Sequence, residues 1–117
     1  MSASRWQARL WHWQRLSALV LGLAVAVHLV VIVVAVRSGL TAAALLGRTQ
    51  GSWIFGGGYL VFVLACAVHA PIGLARVVEE TLGWRGARVA WLAGAFALLL
   101  LGAGLRAVWA VVGGPWA

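Results

Sequence analysis

Residues 16–36 read LSALVLGLAVAVHLVVIVVAV, a run of 21 residues whose only interruptions are Ser17, Gly22 and His28. A helix rises 1.5 Å per residue, so this run covers about 30 Å, the thickness of a bilayer's hydrocarbon layer. Two further apolar runs follow. Residues 54–78 open on Gly56-Gly57-Gly58 and are crossed by His69, Pro71 and Arg76; residues 89–112 carry Arg106 near their far end. The connections are residues 37–53 and 79–88. No stretch alternates polar with apolar residues, which excludes a transmembrane barrel. The pattern predicts an all-α membrane protein with three transmembrane helices, organised as one domain over residues 1–117.

Composition agrees. Hydrophobic residues make up 64% of the chain, charged residues 9%, and the mean hydropathy is +1.01. A soluble domain needs a polar face on every element, and this chain lacks the residues to build them. The net charge of +7 arises from nine arginines set against Glu79 and Glu80 alone. These arginines sit at the ends of apolar runs, so they read as topology signals and contacts to anionic lipid, not as a nucleic-acid surface. Cys66 is the only cysteine. It supports neither a disulfide framework nor a cysteine metal site and reads as a small packing residue.

Arg5, Arg9 and Arg15 ahead of an apolar run also open a secretory signal. The run is longer than an ordinary signal core, so it is expected to be retained as a span. Arg5, Arg9, Arg15, Arg76, Arg85 and Arg88 then share one side of the membrane, six against Arg37, Arg48 and Arg106 on the other. That excess places the N-terminus in the cytoplasm. Trp6, Trp11, Trp13, Trp53, Trp84, Trp91, Trp109 and Trp116 fall at or near the span ends, where an amphipathic ring prefers the interface. Over the first dozen residues Trp6, Leu10 and Trp13 share one helical face, and Arg5, Arg9 and His12 another. This predicts a short interfacial N-terminal helix.

His28 and His69 lie well inside apolar runs, where an ionisable side chain is costly and points to function. A neutral imidazole there can ligate haem iron, relay protons or pack by hydrogen bonding. A relay usually recruits an acidic residue, and none occupies the spans. Around His69, helical geometry puts Gly73, Arg76 and Glu80 on the same face. Gly73 leaves room for a flat macrocycle, although helix packing also uses glycine. Arg76 lies about 10 Å along the axis, the reach from a haem iron to its propionates, although it also reads as a topology marker. Pro71 is expected to bend the helix and free a carbonyl. In span one, Ser17, Leu21, Ala24 and His28 share a face. Counting from the span ends puts the two imidazoles about 5 Å apart in depth. Helices packed 8–10 Å apart leave little room for a haem between them, so at least one haem is expected to be shared with a partner chain.

The stretch Val68-His69-Ala70-Pro71-Ile72-Gly73-Leu74-Ala75-Arg76-Val77-Val78-Glu79-Glu80 resembles the second span of the cytochrome b membrane anchors of succinate dehydrogenase and fumarate reductase. There a His, a Gly one turn later and an acidic residue eleven positions on recur together. Gln14-Arg15-Leu16-Ser17-Ala18 resembles that family's Arg-x-Ser/Thr-Gly opening of span one, and Val27-His28-Leu29-Val30-Val31 resembles its di-haem branch. Ala18 stands where the family has Gly, and Thr81 near where one branch has a quinone-binding Tyr. The resemblance covers roughly residues 14–82.

It implies His69 as an axial ligand of haem b, His28 as the ligand of a second haem, and a quinone pocket beside Arg15 and Ser17. The chain has no flavin fingerprint and no cluster cysteines. The resemblance therefore implies partners: a flavoprotein, an iron–sulfur subunit docked on the cytoplasmic side, a second membrane anchor subunit and membrane quinone. It also implies the inner membrane of a bacterium and an activity only within the complex. A cytochrome b subunit of another respiratory enzyme would share the histidines but not Arg15-x-Ser17. A cofactor-free scaffold or small transporter would need neither.

Overall fold

A computed structural model describes residues 3–113. They form four helices, α1 (Ala3–Ser38), α2 (Ala42–Thr49), α3 (Trp53–Leu82) and α4 (Ala87–Val112), with no strand among the described residues. The helices α1, α3 and α4 are each long and apolar enough to cross a membrane, and each contains one of the expected spans. Trp116 lies outside the described residues.

The expected N-terminal interfacial segment is helical, but it is the opening of α1 itself. No Gly or Pro occurs between Arg5 and Leu21, so nothing interrupts the helix before the apolar run begins. A separate short helix forms instead inside the first connection. Thr41 caps α2, its side chain accepting from the Ala44 amide at 3.1 Å, and Ser52 caps α3 by accepting from Phe55 at 3.3 Å. Gly39 and Gly51 take positive φ on either side of α2. Gly83 ends α3 in the left-handed conformation that favours glycine at that position. The helix α2 closes the far end of α4: Thr49 Oγ1 donates to the Val111 carbonyl at 2.6 Å and the Gly51 amide to Val112 at 2.8 Å. Those carbonyls belong to the last turn of a helix, where no intrahelical donor remains.

The helix α3 is the middle span, with α4 packed on one side and α1 on the other. Glycine sets the α3–α4 approach. A Cβ on Gly104 would stand 2.5 Å from Val63 Cγ1, and one on Gly56 would stand 3.0 Å from Val112 Cγ1. Gly56, Gly57 and Gly58 are all helical, and Gly56 is a point of close contact with α4. Pro71 sits buried inside α3, which continues to Leu82. The side chains on the lipid-directed surfaces are exposed, Trp53 at 93% and Trp91 at 80%.

Val63 is β-branched and stiff, so it cannot swing away from a new methyl group. Gly104→Ala should therefore cost about 1–3 kcal/mol by overpacking, and Val63→Ala in the same chain should recover most of it. Reversible unfolding in detergent checks both.

Candidate functional site at the α1–α3 seam

The face of α1 turned toward α3 is the one that carries Ser17, Leu21, Ala24 and His28, extended one turn back to Gln14 and Leu10. Ser17 is the buried polar residue of the core, 5% exposed. Its hydroxyl donates to the main-chain carbonyl of Gln14 at 3.1 Å. Across the seam, His69 Nδ1 lies 3.3 Å from Ser17 Oγ and 3.4 Å from the same Gln14 carbonyl. A carbonyl only accepts, so Nδ1 carries the proton and donates to this pair of oxygens. Nε2 makes no hydrogen bond among the described residues.

These bonds set the register of α1 against α3, and the expected depths change. His69 is level with Ser17, near the beginning of the 16–36 run, although it is nine residues from the end of the 54–78 run. His28 lies eleven residues beyond Ser17, beside Tyr59 and Phe62, with ring centroids 6.1 Å from each. The two imidazoles are thus offset along the seam by roughly 10–16 Å, not 5 Å. Hydropathy locates the apolar runs, but the offset between them is fixed by polar contacts that hydropathy does not see. The His28 ring is exposed and has no hydrogen-bond partner among the described residues.

Arg76 and Glu80 lie on the His69 side of α3 and, with Leu10, Trp11, Gln14 and Ile72, line an open cleft of about 350 Å³. Arg15 is outside the cleft but holds one wall of it, its guanidinium 4.9 Å from the Trp11 ring centroid. Ser17 does not line the cleft. Gly73 does not leave a bare surface either: a Cβ there would meet Gln14 Nε2 at 3.5 Å, so the Gln14 amide fills the notch. The other end of that amide, Oε1, is buried without a partner. The sequence reading had passed over Gln14, although extending the Ser17 face by one turn would have found it. Among the described residues no three His, Cys, Asp or Glu side chains gather, so protein ligands alone build no metal centre. Axial ligation of a macrocycle needs only one imidazole.

The site thus combines one imidazole held against α1, an arginine two turns away and a half-open cleft, inside a multi-span helical membrane protein. Comparison with protein-family models, curated proteins and solved structures finds no match.

The contact at Gly73 is of ordinary van der Waals length and is made to the end of a flexible side chain. Gly73→Ala should therefore keep the fold and gain roughly 0.5–1 kcal/mol from helix propensity, whereas Gly104→Ala loses stability. Unfolding midpoints measured side by side check the contrast.

Proposed function

We propose that this chain is the haem b-binding membrane anchor of a succinate:quinone oxidoreductase, a complex whose flavoprotein and iron–sulfur subunits exchange electrons with membrane quinone. The observation that carries the reading is His69. Its Nδ1 is held by a main-chain carbonyl and a buried hydroxyl, and its Nε2 makes no hydrogen bond among the described residues, inside an apolar span. Metal-ligating histidines almost always have their other nitrogen held this way, so the residues present fit an axial ligand. Haem b, when bound, supplies a one-electron iron centre.

The chain's own residues then divide the remaining work. His69 would be the ligand that holds the haem, with its Nδ1 side occupied by Ser17 and the Gln14 carbonyl of α1; a second anchor subunit would complete the site. His28, 10–16 Å away along the seam by helical rise, cannot serve the same iron; it is assigned to a second haem. Arg76 is positioned for propionates or for the quinone headgroup, where a guanidinium stabilises developing negative charge on oxygen. Arg15 and Trp11 form the wall of the quinone cleft. The antiparallel packing of α1 and α3 puts Arg5, Arg9, Arg15 and Arg76 at one end of the molecule. This end is assigned to the cytoplasmic face of a bacterial inner membrane, where the iron–sulfur subunit docks.

Membranes containing the assembled complex should show a reduced-minus-oxidised b-type spectrum, and His69→Ala should abolish the contribution of its haem. An unchanged spectrum in that variant removes the assignment. Arg76→Gln should raise the KM for quinone or slow quinone reduction, and wild-type quinone kinetics would count against the cleft.

A further inference from the structure

The family resemblance implies a quinone contact for Ser17, but the structure puts its hydroxyl elsewhere. Ser17 is 5% exposed, is absent from the lining of the cleft, and has its oxygen between the Gln14 carbonyl and the His69 ring. We infer that Ser17 is a positioning residue that, with the Gln14 carbonyl, clamps the His69 imidazole in one tautomer and one ring orientation.

One bonding pattern satisfies all three atoms together. The Ser17 hydroxyl hydrogen goes to the Gln14 carbonyl, so the oxygen lone pairs face His69. A bare Nδ1 would set its lone pair against a carbonyl oxygen at 3.4 Å, an orientation that repels. Protonated, the same nitrogen donates to both oxygens at once. Two acceptors from one turn of α1, one of them fixed main chain, restrict ring rotation more than either alone. Of the neighbouring polar side chains, Gln14 has its Nε2 turned toward Gly73 and Arg15 is drawn onto Trp11. Holding Nδ1–H against oxygen also makes Nε2 a stronger base, the property a metal ligand needs. That last consequence rests on the haem reading; the tautomer does not.

The test uses the full chain and the assembled complex. In the full chain, labelled with 15N-histidine and held in detergent, His69 should give the signals of a neutral ring protonated at Nδ1. Ser17→Ala should shift them toward a mixture of tautomers, and Ser17→Thr, which keeps the hydroxyl, should restore them. In the complex, Ser17→Ala should weaken haem retention roughly 10- to 100-fold, the usual loss for a second-sphere partner. It should also move the electron paramagnetic resonance g values of the ferric haem, and Ser17→Thr should recover both. Wild-type tautomer signals and g values in Ser17→Ala would overturn the inference. So would a raised quinone KM alone, which would return Ser17 to the quinone cleft. If His69→Ala keeps its haem, the haem assignment fails while the tautomer signals still decide the role of Ser17.

Discussion

Inside hydrocarbon a polar group finds no water, so each one buried between spans must be answered by another polar group of the protein. In this chain that requirement concentrates on a single place, where the Ser17 hydroxyl, the Gln14 carbonyl and His69 Nδ1 meet across the α1–α3 seam. Interhelical hydrogen bonds in membranes contribute about 0.6 kcal/mol on average and about 1.7 at most. That is too little to hold two helices together, but it is enough to choose between registers whose apolar contacts are nearly alike. On α1 such alternatives abound, because its outer two-thirds is a repetitive field of Leu, Val and Ala. Shifting α3 by one turn would keep most van der Waals contact and strand an imidazole opposite a valine or leucine.

The chosen register then determines where polarity sits along the pair. It draws Gln14 and Arg15 level with His69, nine residues short of the end of the α3 apolar run. The opening of the α1 apolar run is thereby set beside the interior of the α3 apolar run, not beside its end. The side chains adapt accordingly: Arg15 lies against Trp11, Gln14 folds into the notch of Gly73, and Arg76 borders the cleft between them. On the other side of α3 nothing comparable is needed. The α3–α4 contact is made by glycine against valine, a packing solution with no polar component, and it is completed by α2 capping the last carbonyls of α4.

What could be read from the sequence follows this division. The spans were legible because 20-residue apolar runs have few alternatives in water or lipid, and the caps were marked by Thr41, Ser52 and Gly83. The helix α2 was hidden because eight residues of mixed character between two spans carry little periodic signal. The N-terminal segment was read correctly as helix, but its continuity with α1 depends on the absence of a breaker, which amphipathic patterning does not weigh. The common face of His69, Gly73 and Arg76 follows from helical spacing, and the structure turns that face toward α1. Gln14 was missed, and with it the true neighbour of Gly73, because that contact crosses between helices at an offset no single-helix pattern encodes. Ser17 was picked out as polar, but whether it faces a cleft or a ring depends on the same offset.

His28 shows the limit of a self-contained account. It shares the seam with His69 and faces Tyr59 and Phe62, yet aromatic rings satisfy neither of its nitrogens, and the ring stands exposed at a depth where water is absent. An unpaired polar group there costs several kcal/mol, more than the Ser17–His69 bond returns. Among the described residues this imidazole has no hydrogen-bonding partner. The proposed reading supplies one: a second haem, bound against α1 by a neighbouring anchor subunit, would satisfy His28 and cover the apolar face around it. The same logic separates the two histidines in kind. His69 Nδ1 lies against two oxygens of α1, whereas His28 has only aromatic neighbours among the described residues.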